Sequence, residues 1–327
     1  MPLAVAHSPA EWVARFGERR PRTVVTVGNF DGVHRGHREI LRSVTKRARA
    51  MDAMAAAVTF DPHPLKILRP AEAPPLIFTL AQRLAGLAEL GLDAVLVLKF
   101  DVALSRLSPE EFVRRILVKR LRVAAILVGE NFRFGYKHAG DVKLLAELGR
   151  QHDFTVVTLP PVVVRGKVVS STAIRSAVGE GRVEHTARLL GRPFELTGEI
   201  RRGTGQGSRL VFPTLNLTVE QGLLPGKGVY ATETEVRGRS YRSATNVGVR
   251  PTFAGGPLSV ESHLLNFSKK IRGGVMKVRF WKRLRDERKF SGPEALRAQI
   301  AKDLARAQRF FRRLDRSQAR REQIPRA

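Results

Sequence analysis

The sequence has no cysteine. That single absence excludes disulfides, thiolate metal centres and cysteine nucleophiles. No apolar run approaches the roughly 18 residues of a membrane span. The opening Met1-Pro2-Leu3-Ala4-Val5-Ala6-His7 carries no basic segment ahead of a long apolar one. A secretory signal is therefore not expected, and a reducing cytoplasm is the expected compartment. Aromatic residues are sparse at 7%, with 2 Trp and 3 Tyr. No interleaved aromatic and basic motif stands out, which weighs against a dedicated nucleic-acid binder.

Acidic residues are also scarce, 30 against 58 Lys and Arg, a formal net charge of +28. Such an excess fits solvated basic faces, attraction of polyanionic substrates such as ATP, or nucleic-acid binding. The basic residues run along the whole chain without concentrating in one arm, which favours the first two readings. What is present is ordinary for a soluble protein: 43% hydrophobic and 27% charged residues over 327 positions. That length predicts two domains.

The first half alternates short β-branched runs with helical patterns. Strands are expected at 23–27, 55–60, 94–100, 124–128 and 155–159. A helix from about His37 carries Ile40, Leu41, Val44, Ala48 and Met51 on one stripe. Ser108-Pro109-Glu110-Glu111 reads as a helix start with a capping box. Strands separated by helices imply a parallel sheet with crossovers, an α/β nucleotide-binding domain. Near Gly191-Arg192-Pro193 the pattern changes to β-rich runs at 194–201, 228–236, 240–247, 258–267 and 275–281. Gly and Pro punctuate them, as in a small antiparallel barrel. Ser291 and Glu294 then open a last helix with Leu296, Ile300, Leu304, Ala307, Phe311 and Leu314 on one stripe. That stripe is expected to pack on the barrel, with a frayed basic tail beyond Arg316. The expected domains are 1–187 and 188–327.

Between the first strand and the first helix stands Gly28-Asn29-Phe30-Asp31-Gly32-Val33-His34-Arg35-Gly36-His37. In an open parallel sheet this junction lies at the carboxyl edge, where ligands bind. Glycines let the backbone approach a ligand, and a helix amino end offers free N–H groups to phosphate. His34 and His37, three apart, can face one phosphate and donate to its oxygens as charge builds. A turn with two solvated histidines is the bland alternative. The lysine of a P-loop is absent.

The His-x-Gly-His element resembles that of the nucleotidylyltransferase superfamily, and the fuller string is similar to the FMN adenylyltransferase module of bacterial FAD synthetases. Thr59-Phe60-Asp61-Pro62-His63-Pro64, Val128-Gly129-Glu130-Asn131-Phe132-Arg133-Phe134-Gly135 and Ser170-Ser171-Thr172-Ala173-Ile174-Arg175 match the same module. The resemblance implies that Gly28, Phe30, Asp31, Gly36, Asn131, Ser171, Thr172 and Arg175 form the nucleotide and phosphate site. Asn131 would bind the nucleotide or its metal, and Thr172 and Arg175 the triphosphate. A guanidinium can grip phosphate bidentately, in keeping with that role. His63, between two prolines, fits equally a rigid turn.

A second constellation is Gly203-Thr204-Gly205-Gln206-Gly207-Ser208-Arg209-Leu210-Val211-Phe212-Pro213-Thr214-Leu215-Asn216. Gly203, Gly205 and Gly207 make a loop able to wrap phosphates. Thr214 and Asn216, two apart on an extended segment, share a face and offer hard oxygen donors to Mg²⁺. Glu261, on an expected barrel strand, can take a proton from an attacking hydroxyl, or simply pair with an arginine. The Pro-Thr-x-Asn and Val-Glu-x-His strings, with 246–253 and 284–290, resemble the riboflavin kinase module that follows the adenylyltransferase in the bacterial bifunctional enzyme. That resemblance implies Glu261 as base for the ribityl hydroxyl, and Thr214 and Asn216 as holders of Mg²⁺ and ATP. Val211, Asn266 and the 268–272 turn depart from the family pattern. The implied activities are phosphorylation of riboflavin to FMN and adenylylation of FMN to FAD. A nucleotidylyltransferase for another phosphorylated metabolite is the nearest rival. Oligomeric state is left open.

Overall fold

The structure, a computed structural model, describes residues 2–17, 21–201, 214–249, 258–267, 271, 273–288 and 290–322. The chain divides into two compact units, Met1–Ser171 and Thr172–Ala327.

The first unit is a six-stranded sheet. Its strands are β1 (Ala4–Ala6), β2 (Thr23–Val27), β3 (Met54–Asp61), β4 (Ala94–Lys99), β5 (Val123–Gly129) and β6 (Thr155–Leu159). Their order is β1-β4-β3-β2-β5-β6, every pairing parallel. Helices α1 (Pro9–Phe16), α2 (Arg35–Ala50), α3 (Pro64–Leu68), α4 (Leu80–Ala88), α5 (Val102–Ser105), α6 (Pro109–Phe112) and α7 (Val142–Gln151) supply the crossovers. A π turn, Val113–Val118, continues α6, which opens on the expected Ser108–Glu111 capping box.

Thr23–Val27 is buried at every position because helices cover both sheet faces. Val25, Val27, Ala56 and Val58 pack on one side with Trp12 and Leu145. Val24, Ala55 and Ala57 pack on the other with Leu41, Val44 and Ala48 of α2. Met51, expected on that α2 stripe, is instead the helix's C-cap and 40% exposed. The edge strand β1 was not expected: three residues carry too little periodicity to be read.

A short hairpin, β7 (Val163–Val164) and β8 (Lys167–Val168), closes the first unit. The second contains α8 (Ser171–Gly179, starting one residue earlier), α9 (Val183–Leu190) and six antiparallel strands. These are β9 (Phe194–Arg201), β10 (Leu215–Val219), β11 (Gly228–Val236), β12 (Arg239–Val249), β13 (Leu258–Leu264) and β14 (Val275–Asp286). They close into a barrel in the order β10-β13-β12-β11-β14-β9. Five barrel strands were legible in sequence; β10 is the sixth. The expected strand at 258–267 stops at Leu264, where the chain turns and Asn266 takes a left-handed φ of 56°, a conformation Asn tolerates.

The barrel interior is lined by hydroxyls. Thr232, Thr234, Ser243, Thr245 and Ser262 are fully buried. They close a ring: Thr232–Ser243 2.8 Å, Ser243–Thr234 2.7 Å, Thr234–Ser262 2.7 Å, Ser262–Thr245 3.0 Å and Thr245–Thr232 2.6 Å. In such a ring each hydroxyl can donate once and accept once. The final helix, α10 (Pro293–Glu322), lies on the barrel's outside, with Ala307 and Phe311 buried against Val229, Ala231, Ala244 and Leu284. It runs to Glu322, so the expected frayed tail beyond Arg316 is corrected. The segment's Ala, Gln, Arg and Glu are good helix formers and prolong the helix past its apolar stripe.

Candidate functional site

In the first unit β2 and β5 are neighbours, and the chain leaves β2 toward β3 on one side and β5 toward β6 on the other, in opposite directions. The crevice outside the carboxyl ends of β2 and β5 is the topological switch point of this sheet. Gly28–His37 follows β2, and Asn131, which is exposed, follows β5. The two sequence-separated motifs thus flank one crevice.

At the start of α2, His34 is the N-cap, its Nδ1 accepting the His37 amide at 3.3 Å. The two rings stack with centroids 3.6 Å apart and planes 17° from parallel. An accepting Nδ1 puts the ring proton of neutral His34 on Nε2. Burial, and secondly the neighbouring His34, hold the His37 pKa well below the ordinary imidazole value. Gly36 leaves room for this stack: a Cβ there would press on the His34 ring, 3.2 Å from Cε1 and 3.3 Å from Nδ1. Phe30 meets His37 edge-on at 5.3 Å from behind.

Two of the expected phosphate-site residues serve the loop itself. The Phe30 ring is in the core at 2% exposure. The Asp31 carboxylate, equally buried, accepts the amides of Ile77 at 3.1 Å and Phe78 at 3.0 Å. Gly28 lets the loop turn tightly over that ring, its would-be Cβ 3.2 Å from Phe30 Cζ. Ser171 donates through Oγ to the Asp31 carbonyl at 3.1 Å. His63 caps α3, Nδ1 accepting the Leu65 amide at 3.3 Å, while Nε2 lies 3.4 Å from the Asn29 amide nitrogen. Thr172, exposed, and Arg175, half-buried, occupy the first turns of α8 in the second unit.

The sequence passed over Arg83. The residue is 2% exposed. It donates to the Asn29 carbonyl at 3.0 Å, the Phe60 carbonyl at 3.1 Å, Thr59 Oγ1 at 3.3 Å and Asp61 Oδ1 at 3.2 Å. One side chain therefore ties the loop after β2 to the end of β3. Burial lowers its pKa, and Asp61 and Asp31 oppose that fall. An arginine on α4, 54 positions from Asn29, carries no local signal of this contact.

On the barrel, Asn216 of β10 pairs with Glu261 of β13, which pairs in turn with Asn246 of β12. Directly opposed residues share a face, their Cβ atoms about 4.5–5.5 Å apart. Ser262 points inward, so its neighbour Glu261 and the whole row point outward. Asn216 is buried at 7% exposure and Glu261 half-buried. Thr214, exposed, immediately precedes β10 on the same alternation. Glu287 adds a second carboxylate: it fills the space a side chain at Gly248 would need, with the Asn246 amide nitrogen 3.2 Å from that same position. Gly203, Gly205, Gly207 and Val211, with most of the 268–272 turn, lie outside the described residues. The donors that are described, a hydroxyl and an amide oxygen beside a carboxylate, have the hard-oxygen chemistry Mg²⁺ prefers. Among the described residues no group of three His, Asp or Glu could hold a metal, so substrate and water oxygens would complete such a shell.

Residues 17–173 match a family model described as FAD synthetase, and residues 190–311 one described as riboflavin kinase. The chain is 36% identical over 289 residues to the bifunctional riboflavin kinase/FMN adenylyltransferase of Escherichia coli strain K12, covering 88% of this chain and 92% of that protein. It is 39% identical over 285 residues to the protein of the same description from Pseudomonas fluorescens, covering 87% and 91%. A crystal structure of a protein described as a macrolide-efflux protein from Streptococcus pneumoniae superposes with a TM-score of 0.78 and 28% identity, over 92% of this chain and 96% of that one. Among the described residues, no helix is long and apolar enough to cross a membrane.

Proposed function

The chain belongs to the family of bifunctional riboflavin kinases/FMN adenylyltransferases, and from that premise we propose how its own residues divide the two ATP-dependent steps. The C-terminal domain phosphorylates riboflavin to FMN, and the N-terminal domain adenylylates FMN to FAD with release of pyrophosphate. We place the functional division at 187/188, within the stretch between the two matched regions.

At the barrel, Glu261 accepts the proton of the ribityl 5′-hydroxyl as that oxygen attacks the γ-phosphorus of ATP. The oxygen–phosphorus bond forms as the bond to ADP breaks. Asn216 and Thr214 would hold Mg²⁺, which when bound supplies charge neutralisation on the triphosphate. Gly203, Gly205 and Gly207 would close the loop over the phosphates. The row Asn216–Glu261–Asn246 supports this placement because sheet register alone sets donor and base side by side.

At the α/β domain, an FMN phosphate oxygen attacks the α-phosphorus of a second ATP and pyrophosphate leaves. A phosphate monoester is already a nucleophile, so this step calls for positioning and charge stabilisation and no strong base. His34 and His37 donate to phosphoryl oxygens at the amino end of α2, whose free N–H groups and dipole add to the effect. Asn131 faces the nucleotide across the crevice, and Thr172 and Arg175 bind the triphosphate. Gly28 and Gly36 allow close approach, while Phe30, Asp31 and Ser171 hold the loop in shape. The observation that carries the assignment is the stacked histidine pair at the switch point.

The test is to incubate the purified protein with riboflavin, MgCl₂ and ATP and separate the flavins by chromatography. The wild type yields FMN and FAD. A His34→Ala/His37→Ala chain stops at FMN, and a Glu261→Gln chain makes no FMN yet converts supplied FMN to FAD. The reverse pattern would overturn the division of labour.

A further inference from the structure

The positive charge acquires a pattern on α10. Lys302, Arg306, Arg309, Arg313 and Arg316 advance by four, three, four and three residues, and Arg320 continues the register. At 3.6 residues per turn the first five fall within an arc of about 80°, one cation per turn for about 21 Å. All five are exposed. Glu294, Asp303 and Asp315 fall outside that arc, by about 40° or more. Two of these carboxylates are already engaged by barrel arginines: Asp303 pairs with Arg285 at 2.8 Å, and Asp315 with Arg242. Among the described residues, none of the five cations has an ion-pair partner. The opposite, apolar side of α10 is committed to the barrel through Ala307 and Phe311.

Beside the stripe lies a hollow of about 240 Å³ lined by Lys282, Leu284, Arg306, Arg309, Phe310 and Arg313. Lys282 Nζ sits 5.9 Å from the Phe310 ring centroid. An aromatic ring is thus set among cations.

We propose that this face of α10 binds single-stranded nucleic acid, with phosphates along the stripe and an unstacked base in the hollow against Phe310. A row of cations at regular spacing neutralises an extended phosphodiester chain, and a neighbouring ring and pocket suit a splayed base. A membrane surface fits less well, because the helix has no apolar face left to insert. A duplex leaves the ring and hollow without an occupant.

The test is fluorescence anisotropy of labelled dT15 with the full chain across a salt series. Five phosphate contacts give a log–log slope of about −3.5, from about −0.7 per contact. An Arg306→Gln/Arg309→Gln/Arg313→Gln chain should bind at least about tenfold more weakly and lower the slope magnitude by about 2. Phe310→Leu should weaken binding about fivefold or more with the slope unchanged. Riboflavin phosphorylation by both variants reports that the barrel is intact. An Arg42→Gln/Lys46→Gln/Arg49→Gln chain, altered in the other unit, should bind dT15 as the wild type does. The proposal is overturned if that control loses as much affinity as the α10 triple. It is equally overturned if a duplex, polyglutamate or anionic phosphatidylserine vesicles bind through the same three arginines more tightly than dT15.

Discussion

His34 and His37 stack face to face, 3.6 Å between centroids, while the first ring caps the second residue's amide. Two imidazolium ions cannot share that spacing cheaply, and burial together with the neighbouring His34 disfavours the charged form of His37. The sign of the consequence follows from His37, whose folded pKa lies well below 6.5. Above 6.5 neither the folded nor the unfolded chain carries this proton, and the group leaves stability unaffected by pH. As pH falls below that value the unfolded chain takes up the proton first, so stability declines. Urea unfolding followed by Trp12 fluorescence in a Trp281→Phe background should show a midpoint that drops between pH 7 and 5. His37→Gln should flatten the drop, and saturating ATP should reduce it by stabilising the charged rings. An identical profile for His37→Gln would rule this account out.

Arg83 is expected to be a positioning residue. Arg83→Met leaves the Phe60 carbonyl without its side-chain donor, at a cost of about 1–3 kcal/mol for a buried group, and leaves the Asn29 carbonyl with the Thr59 hydroxyl alone. The loop that carries His34 should then lose its anchor to β3. Adenylyl transfer from ATP to supplied FMN should fall by about tenfold or more, with FMN production unchanged. Arg83→Lys should rescue little, because an ammonium cannot reproduce the planar fork. Equal loss of both activities would mean a general folding defect.

The hydroxyl ring makes a prediction about the barrel alone. Ser262→Ala should destabilise it by about 1–3 kcal/mol, since Thr234 and Thr245 each lose a buried partner. Thr234→Val should cost a similar amount. The double variant should cost clearly less than the sum, because the two changes remove one shared bond. Chemical denaturation monitored at Trp281, with Trp12 replaced by Phe, measures the cycle. Strict additivity would show that the five hydroxyls do not act together.

At the outer face of the barrel, Glu287 is a second carboxylate near the row that holds Glu261, the proposed base. Glu261→Gln should lower riboflavin phosphorylation about 10²–10⁴-fold, the usual contribution of a positioned general base. Glu287→Gln should lower it by less than about tenfold, and ATP affinity should survive both changes. Rate measurements at saturating ATP decide the matter: a large loss on Glu287→Gln with a small one on Glu261→Gln moves the proton to the other carboxylate.

Periodicity and punctuation sufficed for most of the architecture. The buried run 23–27, the α2 stripe and the Ser108–Glu111 cap are local patterns, and local patterns report local structure. Gly28–His37 and Thr214–Asn216 stand out for the same reason: they are compact strings with distinctive chemistry. The strand β10 and the three-residue β1 were missed because each depends on neighbours far along the chain for its hydrogen bonds.

The amino-acid order by itself determined two units, their fold classes and the strings proposed to carry phosphate chemistry, because each depends on residues within a turn or a strand of one another. Only the tertiary structure decided which residues serve as scaffold. It turned Phe30 and Asp31 into the core, enlisted Arg83 from a distant helix, and set Asn216 beside Glu261 through strand register. It also set Lys282 of the barrel beside Phe310 of α10. Burial and long-range hydrogen bonding assign those roles, and neither exists until the chain has closed on itself.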